Sequence, residues 1–260
     1  MDRSKKNPEQ LEGLKVRPLA DHSEYYATLE VQQRVWGFSD SDCVPPRLMI
    51  VAVEIGGLAL GAFSHEKMVG FSVAFPGLPQ LSKTGQSKKY WHSHMTGVLP
   101  EWQNRGIGHR IKLRQREEAL QANIDHVEWT FDPLEIRNAH FNIERLGVVV
   151  QHFLPNQYGI TSSRLNGGLP TDRLVAEWHI ASERVQSILE GKSRKHIEIT
   201  RTIEIPECIT DLRINDTLEA KEIQTQVRQQ IQEAFSQGLA VVGYKIEKQG
   251  GIYELGRLEQ

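Results

Sequence analysis

What the sequence lacks closes off several classes of protein. Only two cysteines occur, Cys43 and Cys208, far apart and with no metal-ligand spacing around them. That argues against a disulfide scaffold or a zinc module and for free thiols in a reducing, cytoplasmic setting. No sign of charge is in excess: 31 Lys+Arg against 33 Asp+Glu give a formal net charge of -2, so no nucleic-acid partner is expected. The most apolar run, Leu48 to Phe63, is interrupted by Glu54 and by glycines and is shorter than the ~20 residues a membrane helix needs. It reads as buried strand and turn, and no membrane partner follows from it. The polar stretch Met1 to Gln10 carries Arg3, Lys5 and Lys6 without a following apolar segment, so no signal peptide is expected. There is no repeat of fixed period, which removes solenoids and propellers. What remains is an ordinary globular composition, 39% hydrophobic and 25% charged over 260 residues, enough for one large domain or a core with an appendage.

Periodicity gives the elements. Val16 to Leu19 reads as a strand, followed by a helix capped by Asp21 or Ser23 and running to about Trp36. Gly37 to Arg47 reads as a loop. Leu58 to Ser64 and Met68 to Phe75 form a hairpin through His65, Glu66 and Lys67. A strand from Tyr90 to Val98, a loop from Leu99 to Arg105 and a helix from Gly106 to about Ala122 come next. Val127 to Phe131 is a strand, and Ala139, Ile143 and Leu146 lie on a helix ended by Gly147. Strands over Val148 to Leu154 and Leu174 to Ile180 complete a mixed α/β sheet. A polar connector, Ser182 to Lys195, leads to a strand over Ile197 to Ile205. Ile223, Val227, Ile231 and Phe235 then mark an amphipathic helix, and Leu239 to Tyr244 with Ile252 to Leu255 suggest a closing hairpin.

The chemistry concentrates in the run from Thr96 to Arg110. It joins a strand to a helix, and Gly106 and Gly108 straddle the helix start. The first turn of a helix leaves N–H groups without intrahelical partners and carries positive partial charge, so it suits an anion. The glycines let a phosphate approach the backbone with no Cβ in the way. Arg105, His109 and Arg110 place cations where the helix dipole alone favours acids, a conflict that a bound anion removes. A dinucleotide fingerprint needs a third glycine, and Ile111 stands there; Asp132 after the next strand would still suit a ribose, so a nicotinamide-type dinucleotide site stays open. A P-loop is absent.

The run Gln103-Asn104-Arg105-Gly106-Ile107-Gly108, preceded by Val98-Leu99-Pro100, resembles motif A of the GNAT acetyltransferase superfamily, Gln/Arg-x-x-Gly-x-Gly/Ala. The resemblance covers about Val16 to Ile180. The segments Leu165 to Trp178 and Ile205-Pro206 resemble a subgroup of acyltransferases with a C-terminal extension. The resemblance implies a largely antiparallel central sheet flanked by helices, with residues 1–181 forming the acyltransferase domain and residues 182–260 a small α/β extension. It also implies acetyl-CoA or another acyl-CoA, succinyl-CoA included, as donor, and a small amine or an amino acid as acceptor. Gln103 to Gly108 would hold the pyrophosphate, Thr96 and Val98 the thioester and pantetheine arm through their backbone, and Asn138 is a further cofactor candidate or a helix cap.

In this family the amine attacks the thioester directly, so a base and an acid are needed. His92 and His94, at i and i+2, share a strand face, and His94 is the candidate base; packing with satisfied ring nitrogens is the alternative, and two histidines without a third ligand do not make a metal site. Asp132 and Glu128 are rival bases, although Asp132 can equally cap the turn at Pro133. The family's tyrosine acid aligns with Ile143 and is missing, which leaves Tyr158 as a replacement or as a loop anchor. Arg164 and Arg173 can pair with an acceptor carboxylate or with protein acids. The missing tyrosine keeps a second reading open, a catalytically silent acyl-CoA-binding or regulatory module, in which the extension serves partner binding or a homodimer. Trp91, Trp102, Trp129 and Trp178 are expected in the core before the site.

Overall fold

The computed structural model describes residues 13–79, 88–159, 168–193 and 195–258. The chain divides into two compact units, Met1–Gly77 with Lys89–Ile124, and Leu78–Lys88 with Asp125–Gln260.

In the first unit, β1 (Leu14–Pro18), β2 (Leu58–Ser64), β3 (Lys67–Gly77) and β4 (Tyr90–Val98) form an antiparallel sheet in that order. The hairpin between β2 and β3 turns on His65, which adopts a φ of 57°. Helix α1 (His22–Trp36) starts where the Asp21 carboxylate accepts the Glu24 N–H at 3.1 Å, and it buries Tyr25, Thr28, Val31 and Gln32. The Gln32 amide exchanges two bonds with Val44, at 2.7 and 3.2 Å, and so fastens the following loop to α1. Leu19, Val31, Met49, Phe63, Phe71, Val73 and Met95 pack into one core between the helices and this sheet.

One expectation is overturned. Leu48 to Phe63 is not strand and turn throughout, because Pro46–Glu54 is a helix, α2, and the loop before it ends at Pro45. Pro46 sits at the first helical position, where its missing N–H costs nothing. Met49 and Ala52, one turn apart, are fully buried. Their packing outweighs the strand preference of Ile50, Val51 and Val53. Helix α3 (Ile107–Gln121) follows a 3-10 turn at Pro100–Trp102, close to the expected limits.

In the second unit the strands run β5 (His126–Phe131), β7 (Arg173–His179), β6 (Val149–Leu154), β9 (Ala240–Glu247), β10 (Gly250–Gly256) and β8 (Arg201–Pro206), all pairings antiparallel. Helix α4 (Ile136–His140) continues into a π-helical turn, Phe141–Arg145, and the chain leaves through Gly147 at a φ of 80°. Ala139, Ile143 and Leu146 are fully buried as their spacing requires. Trp178 donates its indole N–H to the Leu146 carbonyl at 2.7 Å, and Trp129 meets Trp178 edge-on at 5.8 Å. Trp91, Trp129 and Trp178 are core residues, as expected. Helix α5 (Glu183–Leu189) lies in the polar connector. Helix α6 (Ile209–Asn215), which periodicity did not indicate, precedes α7 (Thr217–Ser236), whose Val227 and Ile231 are buried. The α/β class with largely antiparallel pairing is therefore present. No described helix is long and apolar enough to cross a membrane, and no described group of three or more His, Cys, Asp or Glu is placed to hold a metal ion.

Candidate functional site

The loop between β4 and α3 is pinned by its own residues. Gln103 donates its side-chain amide to the Val98 carbonyl at 2.9 Å, and its backbone N–H reaches Pro100 at 3.2 Å. Arg105 donates to the Glu101 carbonyl at 2.7 Å and lies over the Trp102 ring at 5.2 Å. Glu101 is in turn paired with Arg34 at 3.1 Å. Asn104 and Gly106 take left-handed conformations, φ 60° and 79°, and turn the chain into the helix. Gly106 is the N-cap; it offers no side-chain cap, and the first turn contains no acid. An ideal Cβ on Gly106 or Gly108 meets nothing within 4 Å. Protein packing therefore does not require either glycine to lack a side chain. The open backbone above the positive helix end fits an anion. Ile107 is a core residue and anchors the turn from below.

β4 contains a feature that alternation does not reveal. Val73 pairs with Met95 and Ala74 with Ser93, so His94 is the extra residue of a β-bulge. A bulge reverses the facing of side chains on either side of it. His92, paired with Phe75, and Met95, paired with Val73, share the face of α1 and α2. Ser93, Thr96 and Val98, paired with Ala74, Ser72 and Gly70, share the other face. His94 remains beside His92, with ring centroids 6.2 Å apart, and meets Phe75 edge-on at 5.7 Å. The imidazole is open to solvent but crowded by protein; desolvation, then the neighbouring His92, lowers its pKa. A histidine in that state is neutral and accepts a proton near neutrality.

Beneath the bulge lies a buried polar group that sequence reasoning missed. Lys112 of α3 donates to Ser93 Oγ at 2.9 Å and to Gln115 Oε1 at 3.0 Å, and Gln115 donates to Ser93 Oγ at 3.2 Å. Desolvation lowers the Lys112 pKa to about 7. The available signal was that Lys112 and Gln115 fall on the apolar stripe of Ile107, Ile111 and Ala119. Thr96 bonds Ser72 through their hydroxyls at 2.9 Å.

In the second unit, Asp132 follows β5 and is fully engaged. Oδ1 accepts the Leu134 N–H at 2.8 Å, the turn cap expected of it, and Oδ2 accepts Arg213 Nη2 at 2.7 Å with Arg173 at 3.7 Å. Arg213 also reaches Glu135 Oε1 at 2.6 Å. Tyr158 stands in a turn fixed by Thr171, places its hydroxyl 3.0 Å from Thr130 Oγ1, and lies under Arg173 at 5.7 Å. Asp132, Tyr158 and Arg173 thus belong to one network, and Arg173 is bound to protein carboxylate. Glu135 was not foreseen; its pKa is raised by desolvation and by Asp132, against the lowering effect of Arg213. Glu128 is buried near His126, at 3.7 Å. Asn138 is exposed on α4 and accepts from Asn142 at 3.4 Å. Arg164 lies outside the described residues.

No protein-family model and no curated protein matches the chain. Solved structures do. NAA60 from Arabidopsis thaliana, in complex with a bisubstrate analogue, aligns with a TM-score of 0.52 at 14% identity, covering 64% of this chain and 98% of its own. The ribosomal-protein alanine N-acetyltransferase from Escherichia coli gives 0.50 at 15% identity, covering 65% and 97%. A GNAT-family protein from Desulfovibrio desulfuricans gives 0.50 at 13% identity, covering 65% and 99%. The fold of this chain is that of the GNAT acetyltransferases.

Proposed function

We propose that this chain is an acyl-CoA-dependent N-acyltransferase acting on a small amine or an amino acid. The observation that carries the reading is Gly108 in the first turn of α3, which neither packing nor a left-handed backbone requires to be glycine, and which with Gly106 leaves the helix terminus open. In a chain of GNAT fold this is where a donor pyrophosphate binds, cradled by the amides from Gln103 to Gly108. The backbone at Thr96 and Val98 receives the thioester and the pantetheine arm. The amine nitrogen attacks the thioester carbonyl, the carbon–sulfur bond breaks with departure of the thiolate, and His94 takes the proton from nitrogen. Residues 1–181 are taken as the catalytic domain and residues 182–260 as its extension.

One observation favours a catalytically silent acyl-CoA-binding module instead: Ile143, at the position of the family's tyrosine, is fully buried in the core. Calorimetric titration with acetyl-CoA, succinyl-CoA and CoA, with NAD(P) as control, tests the donor site, and an amine panel with acetyl-CoA tests turnover. Binding with turnover supports the enzyme, binding without turnover supports the silent module, and failure of every CoA species to bind rejects both.

A further inference from the structure

Helix α1 ends on a tryptophan that the first unit places against its own β4. Gly37, with its backbone N–H on the Gln33 carbonyl at 2.9 Å and a φ of 70°, stops the helix one residue after Trp36. The turn brings Phe38 back onto Trp36, the two rings stacked with centroids 5.7 Å apart and 19° between their planes. From the sheet side, Phe71 of β3 meets the indole edge-on at 6.2 Å. Phe71 is fully buried and pairs with Gly97, so the indole lies over the β4 residue between Thr96 and Val98.

Gly97 is what admits the ring. A Cβ there would stand 2.6 Å from Cη2 of the indole and 3.1 Å from Cζ3. The φ of Gly97 is not positive, so the backbone does not call for glycine, and a glycine inside a strand weakens it. The strand therefore gives up a side chain at this position in favour of an aromatic ring from α1. That ring is not sealed into the core, because Trp36 and Phe38 are only partly buried at its margin.

The position bears on the acyl group. On the acyltransferase reading the thioester lies along the backbone at Thr96 and Val98. The side chains of these two residues occupy the face of α3, where Thr96 is bonded to Ser72. His94, against Phe75 and beside His92, serves the face of α1, so the carbonyl under attack is presented on that face. Trp36 is the large side chain directly over Gly97 there, and an indole held between two further rings does not give way as a flexible chain would.

Resting on that reading, we propose that Trp36 is a specificity-determining residue that walls the acyl end of the donor site and confines the donor to a short acyl group. Gly97 sets the depth of the ring and Phe38 its tilt. The acyl length, on which the pyrophosphate loop has no bearing, is then set by the end of α1.

The test is calorimetric titration of the full chain with CoA, acetyl-CoA, butyryl-CoA and hexanoyl-CoA. The unaltered protein is expected to bind hexanoyl-CoA roughly 10-fold or more weakly than acetyl-CoA. Trp36→Ala is expected to tighten hexanoyl-CoA by roughly 10–100-fold while the Kd of CoA, which has no acyl group, stays within about threefold. An unchanged length profile in the folded variant overturns the proposal. So does an equal loss of affinity for CoA and every acyl-CoA, which would make the ring a support for β4 alone. If Trp36→Ala does not fold, Trp36→Phe decides, since the smaller ring keeps the contacts to Phe71 and Phe38 and is expected to improve butyryl-CoA over acetyl-CoA by roughly 5-fold. Failure of the unaltered protein to bind CoA itself rejects the donor site, whereas CoA binding with a length profile indifferent to position 36 rejects only the role of Trp36.

Discussion

Lys112→Met is expected to stabilise the protein, and to do so by an amount that depends on pH. The lysine is 3% exposed on the inner face of α3, and the side chains it bonds, Ser93 and Gln115, are neutral. Desolvation alone takes its pKa from the usual 10.5 to about 7. The folded-state value is depressed, so between about pH 7 and pH 10 the unfolded chain binds more protons than the native one, and stability rises with pH. Near pH 6 the lysine is charged in both states and the fold bears nearly the whole penalty, about 5 kcal/mol. Near pH 9 the native amine is neutral and about 2 kcal/mol remains. Methionine matches the stem in length and does not titrate. It forfeits the bonds to Ser93 and Gln115, which still hold each other at 3.2 Å, for a loss of about 1 kcal/mol. The variant is therefore expected to exceed the parent by about 3–4 kcal/mol near pH 6 and by about 1 kcal/mol near pH 9. Urea unfolding followed by tryptophan fluorescence across that range measures the difference. A gap that stays constant with pH refutes the assignment of a charged-state penalty to Lys112.

The other predictions concern the donor loop and β4. Gly108→Val is expected to weaken acetyl-CoA binding by roughly 100-fold or more, because a branched side chain fills the approach to the amides; retained affinity in the folded variant removes the pyrophosphate from this loop. His94→Ala is expected to lower kcat by roughly 100-fold with little change in acetyl-CoA Kd, and stopped-flow turnover checks it. The parent's kcat/KM is expected to fall only below the usual histidine range, since desolvation and His92 lower the His94 pKa, and an acidic limb at or above that range contradicts His94 as the base. Gly97→Ala is expected to cost about 1–3 kcal/mol, because the new Cβ would stand 2.6 Å from the Trp36 ring, and a thermal melt reads the loss.

Legibility in the sequence followed the range of the interactions. β4 and α3 were readable because their signals are local: a nine-residue strand ended by Pro100 and a helix announced by glycines. The β2–β3 hairpin was readable for the same reason. α2 was not, since Ile50, Val51 and Val53 favour a strand and only the packing of Met49 and Ala52 selects the helix. The bulge at His94 has no compositional mark, because one added residue changes the partners on β3 without changing the residue types. Asp132 was visible as a polar residue at a strand end. Its partner Arg213 was not, because nothing in a short, mixed segment such as Ile209–Asn215 indicates contact with a turn 81 residues earlier.

The two features that sequence reasoning missed around β4 are both costly. A bulge gives up regular pairing at His94, and a buried lysine in the second turn of α3 carries a desolvation penalty under the adjacent Ser93. A chain selected only for stability would place an apolar residue at position 112 and keep the strand regular. The coincidence of both costs at one point has a simpler account if the shape of β4 itself is required. The bulge swings His94 toward Phe75, while Lys112 and Gln115 hold the preceding Ser93 from the opposite face. Lys112→Met should then separate the two effects, giving a more stable protein whose His94 is less well placed, with kcat reduced and acetyl-CoA affinity preserved. A variant that gains stability and keeps its full kcat would assign the lysine to the fold alone.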